Sequence, residues 1–146
     1  MKIAIGNDHG AYSYKNEIMD MLIKEGYEVI NVGCDGPESV DYPDYAKKVA
    51  DLVANKEVDF GIVMCGTGIG ISIAANKVKG IRCALCTDVT MARLTREHND
   101  ANMLSMGQRT TGIETAKDIV HTFLTTPFSN GERHIARIKK IAELEK

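Results

Sequence analysis

"DFGIVMCGTGIGIS", residues 59 to 72, decides the fold. A run that is apolar apart from one glycine, Phe60 to Cys65, meets three glycines spaced by single residues, Gly66, Gly68 and Gly70. An apolar run without polar alternation is what a strand covered on both faces requires. A tight glycine turn from such a strand into a helix is one βα unit of a parallel sheet.

The same cadence repeats outward from it. "KIAIG" (2–6), "YEVINVG" (27–33), "DFGIVMCG" (59–66), "IRCALC" (81–86) and "ANMLSMG" (101–107) read as strands. Between them, Tyr14, Ile18, Met21 and Leu22 share one helical face, as do Tyr45, Val49, Leu52 and Val53. "IETAKDIVHTFLTT" (113–126) repeats Ile113, Ala116, Val120 and Phe123 at helical spacing and stops before Pro127. Asp88 is set to cap the helix "VTMARLTREH". These alternations predict a three-layer α/β fold with a five-stranded parallel sheet, one domain over 1–146. "NGERHIARIKKIAELEK" reads as an extra C-terminal helix, with Ile135, Ile138 and Ala142 on the side expected to cover a partner subunit.

Composition narrows the partners. Net charge is −2, so no basic field invites nucleic acid or an anionic membrane, and any bound anion needs a local pocket. The apolar run in "MKIAIGNDHG" is too short for a signal core and no later stretch could span a bilayer, which predicts a cytoplasmic protein. Four cysteines, Cys34, Cys65, Cys83 and Cys86, follow no secreted disulfide spacing. Cys83 and Cys86 form C-x-x-C within a strand, where residues three apart face opposite ways. They read as core residues, not as a redox pair or a metal site, and no second cluster completes a zinc site.

In open parallel sheets ligands bind at the carboxyl ends of the strands. There the first strand brings Asp8 and His9, the third Cys65 and Thr67, and the fifth Arg109. The helix after the fourth strand offers His98 and Asn99, expected to converge on the same edge. The glycines are not a dinucleotide fingerprint, because the third glycine position of G-x-G-x-x-G is Ile71. No Walker lysine follows either. Alternating glycines before a helix can still aim the amides of Gly66, Gly68, Ile69 and Gly70 at one anion or oxyanion. Cys65 at the mouth of that cradle has its thiolate favoured by the helix dipole and is suited to moving a proton beside a carbonyl. The plain alternative, a core cysteine before a tight turn, stays open on the residues alone. His121 lies mid-helix and reads as structural or exposed, and His134 is ambiguous. Arg133 and Arg137, four apart, could clamp a phosphate or merely form a solvated face.

"GNDHG", "DYPDYA" (41–46), "CGTGIGISIAANK" (65–77), "REHNDANML" (96–104) and "RHIAR" together resemble the type B ribose-5-phosphate isomerases. That family also embraces the galactose-6-phosphate isomerase subunits. The resemblance implies a Rossmann-like fold that interconverts aldose and ketose phosphates with no metal and no cofactor. It implies that Cys65 moves the proton between C1 and C2, with Thr67 and the Gly66–Gly70 amides cradling the enediolate. In another branch an acid at the position of Ile71 serves as base, which isoleucine cannot. His98 would open the sugar ring with Asp8 assisting, Asn99 would touch a hydroxyl, and His9, Arg109, Arg133 and Arg137 would bind phosphate. Family members are homodimers, sometimes tetramers, so His98, Asn99 and Arg109 would come from the neighbour. One departure stands out. The family's Gly-Arg-His-x-x-Arg is here Gly-Glu-Arg-His-Ile-Ala-Arg, and a carboxylate at Glu132 is expected to weaken phosphorylated substrates relative to free or six-carbon sugars. The competing reading from another class is a non-catalytic sugar-phosphate sensor, which would need neither base nor ring-opening acid.

Overall fold

Neighbouring strand residues point into two different cores. Ile3, Ile5, Ile62, Met64, Leu104 and Met106 join one apolar cluster, while Ala4, Val63, Cys65 and Met103 join the other. The computed structural model describes residues 1–145 and is a three-layer α/β sandwich. Its strands are β1 (Lys2–Asn7), β2 (Glu28–Asn31), β3 (Phe60–Cys65), β4 (Cys83–Leu85) and β5 (Met103–Gly107). They form one parallel sheet in the order β2-β1-β3-β5-β4. The strands expected within 27–33 and 81–86 stand at the two edges of the sheet and are only four and three residues long. The order reverses between β1 and β3, and the carboxyl ends of that pair are where sheets of this kind bind ligands.

The helices are α1 (Tyr12–Lys24), α2 (Tyr42–Ala54), α3 (Ile69–Ala75), α4 (Val89–Asn99), α5 (Ile113–Thr125) and α6 (Glu132–Glu143). Residues of α1, α4 and α5 cover one face of the sheet, and residues of α2 and α3 the other. Asp88 caps α4 by accepting from the Met91 N–H at 2.7 Å, and α5 ends two residues before Pro127. On α2 the contact is carried by Ala46, Val49, Ala50 and Val53, with Tyr45 and Leu52 only half-buried. Cys83 and Cys86 fall in opposite clusters, are not bonded to each other, and burial pushes both thiols up to about 12. Among the described residues no helix is long and apolar enough to cross a membrane.

Two buried cations escape a hydropathy reading. Lys15 is fully buried, pairing with Asp35 and donating to Asn31 Oδ1 at 3.3 Å, which ties α1 to the loop after β2. Hydrogen bonds from Lys15 and Asn31 hold the Asp35 carboxyl below its ordinary range. Arg96 is also buried, its guanidinium 4.9 Å from the Phe60 ring and 5.7 Å from Phe123. It donates to Asp100 Oδ1 at 2.8 Å, to the Ala101 carbonyl at 2.7 Å and to the Thr126 carbonyl at 3.1 Å. Removing one partner of such a network strands the others, so Arg96→Met is expected to cost about 3 kcal/mol in urea unfolding. A cost below about 0.5 kcal/mol, the size of an exposed pair, would contradict that role.

Candidate active site

The cradle is built where β3 and β5 end together, Cys65 pairing in register with Gly107. Gly68 turns the chain with φ +78, a conformation that side chains rarely adopt. A Cβ there would also lie 2.7 Å from the Met106 carbonyl carbon, so the turn can pack against β5 only as glycine. Behind it, buried Ser105 donates from Oγ to the Gly68 carbonyl at 2.6 Å and fixes the loop to the sheet.

Cys65 lies at the base of this turn, 6% exposed, and its Sγ accepts the Gly68 N–H at 3.1 Å. Thr67 is exposed, and its Oγ1 accepts the Ile69 N–H at 3.2 Å, which leaves its own O–H free to donate outward. The expectation that all the loop amides aim at one ligand is corrected here. The N–H groups of Gly68 and Ile69 are already engaged by Cys65 and Thr67. Those of Gly66, Thr67 and Gly70 donate to nothing among the described residues and are the available donors. Ile71, at the supposed third glycine, is fully buried in the α2–α3 core.

Asp8 and His9 stand beside this turn. Asp8 is buried and its Oδ1 accepts the Gly10 N–H at 2.9 Å. A Cβ on Gly10 would come within 3.2 Å of both Asp8 Oδ1 and the Gly66 nitrogen, so the carboxylate and the cradle share one space. His9 accepts the Val40 N–H on Nδ1 at 3.1 Å, so its neutral ring carries the proton on Nε2. Arg109 lies against the same turn within its own chain. Its N–H donates to the Gly66 carbonyl at 2.8 Å, and a Cβ on Gly66 would lie 3.5 Å from its Nε. Arg109 therefore lies along the cradle of its own chain.

His98 and Asn99 do not converge there. A helix that follows a strand starts at the carboxyl edge and runs back, and eleven residues return α4 about 16 Å to the amino edge. Arg82, just before β4, donates from Nε to the Asn99 carbonyl at 3.0 Å, fixing that end. Four strand steps, about 13 Å, separate this edge from Cys65. Arg133 and Arg137 belong to the same remote group. They lie on α6, whose His134 stacks on His98 with ring centroids 4.4 Å apart. Glu132 opens α6 and is exposed. His121 is exposed. The polar residues thus form two half-sites at opposite edges of one chain.

One further residue stands at the cradle without a signal of its own in the sequence. Tyr42, the first residue of α2, covers the loop, since a Cβ on Gly70 would lie 2.8 Å from its ring and 3.1 Å from its hydroxyl. Its place in "DYPDYA" was visible in the sequence, but only the packing of α2 on α3 brings it over Gly70. Among the described residues no three His, Cys, Asp or Glu side chains are grouped to hold a metal ion.

Comparison with known proteins places the fold in a family. Residues 3–141 match the family model described as Ribose/Galactose Isomerase. The chain is 59% identical to ribose-5-phosphate isomerase B of Clostridium thermocellum, with a TM-score of 0.97 over 99% of this chain and 97% of that one. It is 48% identical to the type B ribose 5-phosphate isomerase of Trypanosoma brucei, with a TM-score of 0.96 over 99% and 98% of the two chains. Ribose-5-phosphate isomerase B of Escherichia coli is 48% identical, over 99% of this chain and 96% of its own length. With a model covering nearly its whole length and relatives this similar end to end, the chain belongs to the ribose/galactose isomerase family and is an isomerase.

Proposed function

We propose that this isomerase interconverts ribose 5-phosphate and ribulose 5-phosphate through an enediolate. The observation that carries the reading is the cysteine held beneath an oxyanion cradle, with Cys65 Sγ on the Gly68 N–H at 3.1 Å. Cys65, as thiolate, takes the proton from C2 of the open aldose. The C–H electron pair forms the C1–C2 double bond, and O1 becomes an oxyanion. The free N–H groups of Gly66, Thr67 and Gly70 and the Thr67 hydroxyl are the donors suited to hold that charge. The thiol then returns the proton to C1 while the O2 proton passes to O1, giving the ketose. No external oxidant or acceptor enters the balance.

The remainder of the site is assigned to a second copy of the chain. Asp8, His9 and Arg109 share the cradle's edge, while His98, Asn99, Arg133 and Arg137 stand at the other edge of the same chain. A two-fold dimer, in which each edge meets the opposite edge of its neighbour, brings the halves together. Two apolar surfaces support it. Ile69 and Ile73 are exposed on α3, directly after the cradle. Beside Asn99 a groove of about 700 Å³ runs between α6 and the body, lined by Val78, Ile81, Ala84, Ala101, Ile141 and Leu144. A cradle docked at Asn99 carries Ile69 and Ile73 onto that groove. In the dimer, His98 of the partner subunit donates to the ring oxygen with Asp8 assisting, and Asn99 of the partner subunit holds a hydroxyl. His9 Nε2, Arg109 and the partner's Arg133 and Arg137 surround the phosphate.

Glu132 tempers the phosphate preference in this reading. Its side chain is exposed, so its repulsion is screened to about 1 kcal/mol, or roughly fivefold in relative preference. The test is kcat/KM for ribose 5-phosphate and for free ribose and allose, before and after Glu132→Arg. Ribose 5-phosphate should be the best substrate, and the variant should widen its lead. A free sugar that outpaces the phosphate would overturn the substrate assignment, and an unchanged ratio would remove Glu132 from specificity.

A further inference from the structure

The end of α4 and the start of α6 are fastened by contacts that the sheet does not need. Ser129 donates from Oγ to the Glu97 carbonyl at 2.7 Å and from its N–H to the same oxygen at 3.3 Å. One turn further, the His134 ring lies on the His98 ring, centroids 4.4 Å apart and planes 11° from parallel. The intervening Gly131 makes room for it, because a Cβ there would come within 3.0 Å of His134 Cδ2. His98 itself is exposed on the last turn of α4, and no hydrogen bond holds its ring among the described residues.

We infer that His134 is a positioning residue, whose ring stacks on His98 and holds that imidazole in the orientation that delivers a proton to the sugar ring oxygen. The inference rests on the role proposed above for His98. An unbonded histidine at a helix end samples several rotamers, and proton delivery succeeds only in the aligned one. A stacked ring restricts the plane of His98 while leaving both of its nitrogens without a hydrogen-bond partner among the described residues. His134 serves without competing for the proton. Burial, His98, Arg133 and Arg137 all push its imidazole below the ordinary histidine range. Of the other charges on these helix ends, Glu132 is exposed two residues before His134, and Arg93 and Glu97 on α4 pair with each other at 2.7 Å. His134 is therefore neutral around neutral pH. It protonates only as pH falls through its lowered range, where the charge on its ring would disfavour the stack.

The test uses ribose 5-phosphate carrying deuterium at C2. In the wild type, removal of that hydrogen contributes to the rate and gives an isotope effect on kcat/KM. His134→Ala should lower kcat/KM about tenfold and shrink the isotope effect towards one, because ring opening then limits the reaction. His134→Phe keeps the stack and should recover the rate to within about threefold, together with the isotope effect. It should also lose any fall in activity that the wild type shows as His134 protonates in acid. Gly131→Ala, which crowds the ring without removing it, should lie between the two. An unchanged His134→Ala rate, a slower rate with an undiminished isotope effect, or no rescue by Phe would overturn the inference. In the same protein, the His98 Hε1 resonance should move downfield in His134→Ala as ring-current shielding is lost, and a stationary resonance would also overturn it. Wild-type protein inactive on every sugar phosphate would strike the proposed function instead, leaving the resonance to decide the stack.

Discussion

Cys65→Ala should abolish turnover, by roughly 1,000-fold or about 4 kcal/mol in kcat/KM, while sugar-phosphate affinity changes only a few-fold. The two effects separate because Sγ makes one contact with the loop, the Gly68 N–H, and the loop has other anchors. Ser105 holds the Gly68 carbonyl and Arg109 the Gly66 carbonyl, both from β5 or just beyond it. The cradle should therefore survive loss of the sulfur. Asp8 and His9 are the other acid–base groups beside the cradle, but Asp8 Oδ1 is committed to the Gly10 N–H and His9 Nδ1 to the Val40 N–H. Cys65→Ser should recover little, since an alcohol is a far weaker base than a thiolate. Steady-state kinetics with a calorimetric titration of substrate would check both halves. If more than about a tenth of the activity survives in Cys65→Ala, the base lies elsewhere. A lowered Tm with intact turnover would return Cys65 to the role of a core residue.

That experiment also decides the question that "VMCGTGIGIS" left open. The strand and the helix after it were legible because each follows from local pattern: a run buried on both faces, then glycines at a turn. Gly68 could be read as turn chemistry, and its φ of +78 is what that chemistry requires. Which amides remain free could not be read. The Gly68 and Ile69 N–H groups are taken by Sγ and Oγ1 of the same loop, a matter of rotamers and not of residue order. Tyr42 was hidden for another reason. Its place beside Gly70 comes from how α2 packs on the loop. Lys15 and Arg96 show the limit of hydropathy itself, because a cation goes inside only where carboxylates, carbonyls or ring faces await it.

The misplacement of His98 and Asn99 has the most informative cause. Counting them among the strand-end residues ignored direction, since α4 runs back from the edge where Asp88 caps it. The same direction yields the last prediction. If the base and the ring-opening acid serve one site from two chains, Cys65→Ala and His98→Asn each inactivate every site in their own homodimers. Mixed, unfolded and refolded together, half of the dimers should be hybrids, each with one site free of both changes and one carrying both. Activity should return to about a quarter of wild type from components that are each nearly silent. A site contained within one chain would regain nothing, because no subunit in the mixture holds both residues intact. Association without site sharing would also leave the mixture silent, so the recovered activity measures the sharing and not the dimer. Carrying both substitutions on one chain and mixing with wild type supplies the converse. Each hybrid then has two half-equipped sites, and activity should fall to about a quarter, where unshared sites would retain about a half.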